Sequence, residues 1–199
     1  QPLALDAARL AALESRPGVA RARELYYADM RGPANAERSE ALSTLPADER
    51  PQALGLANRW GWHFQAIASA AQLGIFNDYA LLYPRPYDAE VAAAARAVDL
   101  PETLIYAVLR QESLYQPRAI SAANARGLMQ LLPTTATGVA RRLGKPRPSP
   151  SDLLRPAVNV PLGAAYLRQR VDLFDGQIVL ALAAYNAGAG AARRWLPEA

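Results

Sequence analysis

Three features of the sequence predict an all-α fold. Ala and Arg abound while alternating β-branched runs are absent, so strand signals are weak. Pro and Gly punctuate the chain into pieces of helix length. The clearest piece, after Pro101, puts Leu104, Val108 and Glu112 at i, i+4 and i+8 on one helix face, widened by Ile105 and Leu109.

Taken in order, the first elements are short. Breaks are expected at Arg16-Pro17-Gly18, Gly32-Pro33, Pro46, Pro51, Gly61 and Gly74. Helix pairs of that length point to superhelical, α-solenoid-like stacking, although no sequence period is clean. Tyr26-Tyr27 and Trp60 with Trp62 are assigned to its core rather than to sugar platforms. His63, the only His, is assigned to a helix in a packed interface. Pro84-Arg85-Pro86 is the best domain boundary, giving residues 1–85 as a helical segment and residues 86–199 as a second domain. There, Pro101 suits a first-turn position with Asp99 just before it, and Pro117 stops the helix. Pro133-Thr134-Thr135 opens another helix, residues 145–151 (KPRPSPS) form a Pro-rich loop, and helices follow over residues 158–174 and 177–185.

Glu112 is the only acidic residue between Glu102 and Asp152. It continues an apolar stripe where a hydrophobe is expected. A carboxyl group in such a place is either paired with a cation, Arg110 and Arg118 being near in sequence, or functional. Low dielectric disfavours its charged form and raises its pKa. A carboxyl still protonated near neutral pH can act as a general acid.

The following loop is small and polar. Asn124 tolerates a left-handed turn, and Gly127 permits close approach of backbone or ligand. Core packing is the plain reading of Met129, Leu131 and Leu132. Gln130, an amide among hydrophobes, needs hydrogen-bond partners if buried, and sugar hydroxyls or N-acetyl groups would suit it. Further on, Tyr185-Asn186-Ala187-Gly188 breaks an apolar helix. Asn186 and Gly188 fit ordinary C-caps, and Tyr185 is either core or a neutral donor that holds a catalytic carboxyl.

Three blocks in order carry a resemblance: the helix ending in Glu112-Ser113, GLMQLLPTTA at residues 127–136, and AAYNAG at residues 183–188. The chain resembles the soluble lytic transglycosylases of Gram-negative bacteria, the large periplasmic Slt type. RARELYYADM at residues 21–30 and YPRPYDAEV at residues 83–91 are similar to that family's helical linker, so the resemblance covers most of the chain. It implies a lysozyme-like catalytic domain over residues 86–199. It also implies cleavage of the β-1,4 bond between N-acetylmuramic acid and N-acetylglucosamine in peptidoglycan. Glu112 matches the single catalytic Glu. By the same resemblance Ser121 is a polar partner, Met129 and Gln130 line the substrate groove, Tyr185 is the phenol near the acid and Asn186 its neighbour. Asn124 stands where the family often has Gly. Family members also continue past the AAYNAG helix with a segment carrying another Tyr, so this domain is expected to be C-terminally incomplete.

Most glycosidases use two carboxylates. The catalytic block offers one; Asp152, Asp172 and Asp175 read as caps or turns. The substrate must then supply the nucleophile. On that expectation Glu112 would protonate the leaving oxygen, the N-acetyl group would stabilise the cationic centre, and Glu112 would then deprotonate the C6 hydroxyl to give a 1,6-anhydro sugar. The alternatives are a lysozyme-like hydrolase of peptidoglycan that uses water, or a non-catalytic helical scaffold with an incomplete site.

Composition fits this expectation. A net charge of +4 and a pI of about 9.6 suit an anionic polymer. Nucleic acid ranks low because Arg residues are scattered and do not alternate with aromatics. The absence of Cys excludes disulfides and a Cys zinc cluster, and neither a cofactor nor a metal is expected. No run is apolar enough to span a membrane, so membrane contact is not expected, and no signal peptide is present. A periplasmic location follows if a signal has been removed. The expected partners are peptidoglycan glycan strands.

Overall fold

The computed structural model describes residues 4–195. Among them the regular structure is helical and no sheet forms; the pairings outside helices are isolated antiparallel bridges, Ile120 to Arg126 and Arg126 to Leu131. The chain divides into two compact units between Pro84 and Arg85.

The first unit contains α1 (Ala7–Glu14), α2 (Pro17–Tyr27), α3 (Arg31–Ser43), α4 (Arg50–Arg59), α5 (His63–Gln72) and the short α6 (Tyr79–Leu82). Asp6 caps α1 by accepting the Arg9 N–H at 2.7 Å. Pro17 opens α2 and Pro51 lies in the first turn of α4, where a missing N–H loses no helical bond. Gly32-Pro33 does not break the chain as expected. The pair sits in the first turn of α3, which tolerates Pro for the same reason. Gly61 and Gly74 follow α4 and α5 with φ of +75° and +69°, a region open to Gly without Cβ strain.

Successive helices bury one another's apolar faces, α2 against α3 and α4 against α5. Leu54, Ala57, Trp62, Ala66 and Ala70 form one cluster, and Leu10, Leu13, Val19 and Leu56 another. Trp62 is buried and stacks on Tyr26 at 4.6 Å between centroids, while the Tyr26 hydroxyl donates to the Gly61 carbonyl. The Trp60 indole N–H donates to Glu14 Oε1 at 3.0 Å. Tyr27 departs from the expected core and is 60% exposed, since its neighbour takes the inward face of α2. His63 begins α5, with Nδ1 2.8 Å from Asn58 Oδ1.

The second unit contains α7 (Asp88–Val98), α8 (Glu102–Ser113), α9 (Pro133–Arg142), a 3-10 turn (Asp152–Leu154), α10 (Pro156–Leu173), α11 (Ile178–Ala187) and α12 (Ala189–Arg194). Helix α10 is the axis of this unit, packing against α7, α9 and α11. It buries Val160, Leu162, Ala164, Ala165 and Leu167 together with the polar Asn159. Such all-round burial requires small residues where neighbours come close. At Gly163 an added Cβ would lie 2.3 Å from Met129 Sδ and 2.7 Å from Met129 Cβ.

Gly-to-Ala within a helix normally favours folding by about 1 kcal/mol. At Gly163 the sign should invert, because overpacking of this kind costs roughly 1–3 kcal/mol. Urea unfolding should find Gly163→Ala less stable than the parent. Adding Met129→Ala should destabilise by less than the sum of the two single losses. Strict additivity would dissociate the two residues.

Candidate active site

Glu112 lies in the last turn of α8, above the buried residues Ile105, Val108 and Leu109. The helix ends at Ser113, earlier than Pro117 requires. Leu114 and Tyr115 turn left-handed, with φ of +46° and +65°, a conformation that costs about 1–2 kcal/mol per non-Gly residue. Burial of Tyr115, which is 3% exposed, offsets part of this.

The chain then forms a tight loop. Ser121 Oγ accepts the Ala125 N–H at 3.0 Å, and Asn124 sits left-handed with φ of +65°. Gly127 adopts φ of +76°, and an added Cβ would fall 2.1 Å from the Leu153 carbonyl oxygen and 2.5 Å from Asn159 Nδ2. Only a residue without a side chain allows this approach. Gln130 donates from Nε2 to the carbonyls of Gly127 (2.9 Å) and Ala119 (3.2 Å), which ties the loop to itself.

Three helices grip the backbone of Leu128 and Met129. From α8, the Ser113 hydroxyl contacts the Leu128 carbonyl at 2.9 Å as well as the Leu109 carbonyl at 3.1 Å. From α10, the fully buried Asn159 accepts the Met129 N–H at 2.7 Å and donates to the carbonyls of Arg126 (2.8 Å) and Leu153 (2.9 Å). From α11, the Tyr185 hydroxyl donates to the Met129 carbonyl at 2.7 Å. The Asn159 amide therefore uses its oxygen and both N–H groups, as a buried amide must.

A cavity of about 440 Å³ opens beside this junction, with Glu112, Gln130, Thr135, Tyr166, Tyr185 and Asn186 among its walls. Among the described residues, Glu112 is the only acidic side chain lining it. Burial raises the Glu112 pKa above its ordinary value, and a hydrogen bond from the Asn186 side chain opposes the rise. Burial also pushes the Tyr185 phenol well up, reinforced by the Glu112 charge and by Tyr166. The two Tyr rings lie 5.1 Å apart. Both groups are thus biased toward their neutral, proton-bearing forms. Among the described residues no group of three His, Asp or Glu converges as a metal site would require.

Of the residues singled out from sequence, Glu112, Gln130, Tyr185 and Asn186 meet at this cavity, although more than seventy positions separate the first from the last. Ser121 does not line it and closes the neighbouring turn. Met129 needs correction as a groove residue. Its side chain is 0% exposed beneath Gly163, and its part is played by its backbone. Tyr185 needs a correction of partner, since its hydroxyl proton goes to the Met129 carbonyl. Asn186 bonds the Glu112 carboxyl instead, and remains inside α11 while Gly188 caps it. Sequence reading missed Asn159 and Gly163. The signal for Asn159 was available, an amide inside the apolar run AVNVPLGAAYL.

Comparison with known proteins adds kinship to this geometry. Residues 90–199 match the family model described as Transglycosylase SLT domain, and residues 12–78 match Soluble lytic murein transglycosylase L domain. The soluble lytic murein transglycosylase of Salmonella typhimurium is 30% identical over 93% of this chain and 29% of its own length. The chain thus spans well under half of that relative. A solved structure of an inactive Glu-to-Gln mutant of the lytic transglycosylase Slt from Pseudomonas aeruginosa is 35% identical, with a TM-score of 0.88 over 100% of this chain and 32% of that one. The 70 kDa soluble lytic transglycosylase of Escherichia coli is 28% identical, with a TM-score of 0.86 over 98% of this chain and 32% of that one. The all-α class expected from sequence, lysozyme-like with superhelical helices before it, holds.

Two outcomes follow for stability. An unfolded Glu112 titrates near its ordinary value of 4.5, whereas the folded carboxyl holds its proton to higher pH. As pH rises through that interval the unfolded chain releases a proton that the folded chain keeps, so stability falls and stays lower above it. Glu112→Gln removes the ionisation and should be more stable than the parent at pH 7, with the gap closing below pH 4.5; thermal unfolding across pH measures this. Tyr185→Phe leaves the Met129 carbonyl unpaired and should cost about 1–3 kcal/mol in the same assay.

Proposed function

Because the chain belongs to the transglycosylase SLT domain family, we propose that it carries the cleavage site of a peptidoglycan lytic transglycosylase. The observation that carries this reading is a single carboxyl, Glu112, whose proton affinity is raised by burial in a cavity lined, among the described residues, by no second acid. Hydrolases that activate water with a second carboxylate need that group on the opposite face of the sugar.

In the proposed reaction, the Glu112 carboxyl gives its proton to the glycosidic oxygen as the C1–O bond breaks. Positive charge grows at C1 of the muramyl sugar, and its own N-acetyl oxygen stabilises that centre. Glu112, now a carboxylate, removes the proton of the C6 hydroxyl. The C6 oxygen bonds to C1 and closes a 1,6-anhydro ring. Glu112 ends protonated, as it began, and no water is consumed. Asn186 donates to the carboxylate form and moderates the pKa, so that the group can serve as acid and then as base. Gln130 offers an amide at the cavity wall. Residues 1–85 are proposed as the helical linker and residues 86–199 as the catalytic domain. Among the described residues no helix is long and apolar enough to cross a membrane, and a periplasmic site of action is part of the same proposal.

Glu112→Gln should keep the fold and lower cleavage of purified peptidoglycan by about 100- to 10,000-fold, the usual worth of a general acid. Retention of a tenth of the parent's turnover would remove Glu112 from the chemistry. Mass spectrometry of the parent's digest should find muropeptides ending in 1,6-anhydromuramic acid, lighter by one water than reducing ends. Reducing ends as the main product would assign the site to a hydrolase.

A further inference from the structure

The first unit holds a cavity of about 400 Å³ lined in part by Arg38, Ser39, Ser43, Arg50, Ser69 and Gln72. Arg38, on α3, is only 9% exposed. Its Nη2 donates to Ser69 Oγ at 2.9 Å, its Nη1 makes a long contact with Gln65 Oε1 at 3.4 Å, and its Cζ lies 5.9 Å from the Trp62 ring centroid. All of these partners are neutral. The pKa of Arg38 is brought down to about 10 by burial alone, whereas a nearby carboxylate would push it up.

This inverts the ordinary arrangement of charge. Arg9, Arg16, Arg21 and Arg23 lie in the same unit, are more exposed, and each pairs with a carboxylate. Water could have solvated these well enough without a partner. The guanidinium withdrawn from water, that of Arg38, has no carboxylate partner among the described residues, and burying an unpaired charge is costly. Arg50 places a second positive charge on the same cavity, whose lining among the described residues contains no acidic side chain. Ser69 accepts from Arg38 and so keeps its own hydroxyl proton to donate.

We propose that this cavity binds a small oxyanion, a carboxylate or phosphate group, held by the planar fork of Arg38 with Ser69 as a hydroxyl donor and Arg50 at the rim. A guanidinium fork matches either group in bidentate fashion. The walls add a hydroxyl from Ser39 and the amide of Gln72. The site shares no lining residue with the Glu112 cavity and stands apart from the cleavage reading.

The test titrates the whole chain with inorganic phosphate and, separately, with N-acetylglycine as a peptide-carboxylate mimic. Ionic strength is fixed with sodium chloride, and thermal unfolding is followed. Saturable stabilisation by either probe is expected, and the one that binds identifies the source of the anion. Arg38→Met should weaken the response about tenfold or more, the scale of a lost charge-assisted hydrogen-bonded pair. Arg50→Gln, at an exposed position that leaves the core intact, should weaken it severalfold. No saturable response in the parent chain overturns the proposal. So does an undiminished response in Arg50→Gln together with Arg38→Met, if the latter folds.

Discussion

The site depends on one constraint: the peptide groups of Leu128 and Met129 are buried and must find partners inside the protein. Ser113, Asn159 and Tyr185 supply them, one from each of three helices. Each such bond contributes a net of about 0.5–1.5 kcal/mol, but leaving a buried partner unmade costs about 1–3 kcal/mol. This asymmetry fixes the helices to the loop. It also sets where the carboxyl and its amide partner lie, since Ser113 adjoins Glu112 and Tyr185 adjoins Asn186. Pairing buried backbone therefore brings the carboxyl and its amide partner together.

The electrostatics follow from the same packing. Glu112 loses hydration where α8 meets the cavity, which raises its proton affinity, and Asn186 limits the rise. Against burial alone, the amide favours the charged form. Tyr185, neutral and bonded away from Glu112, shapes the wall without competing for that proton. Ionising Glu112 therefore costs more in the folded chain than in the unfolded one.

Much of this was legible locally. An isolated acid on an apolar stripe, a left-handed Asn124 and a Gly127 pressed against backbone are properties of short segments, and residue type is enough to suggest them. What was not legible depends on partners distant in sequence. Tyr185 meets Met129 across 56 positions, and Asn159 meets it across 30. No periodicity reveals which of two neighbours, Tyr185 or Asn186, faces the carboxyl, because one helical residue turns the side chain by about 100°. Met129 was assigned to the groove because the block around it lines the groove. The absence of a side chain at Gly163 draws it into the interior instead. Gly32-Pro33 misled for a different reason, since the same pair can end one helix or begin the next.

The sealing of Met129 has a bearing on chemical durability. The chain has two Met residues, Met30 at 49% exposed and Met129 at 0%. Oxidation to the sulfoxide makes a thioether polar and bulkier, a change that the space under Gly163 has no room to accept. A peroxide can reach Met30 from solution, but it can reach Met129 only in molecules whose loop has lifted from α10. Met30 is therefore the thioether open to oxidation in the folded protein, and oxidation at Met129 requires that its burial against α10 first be lost.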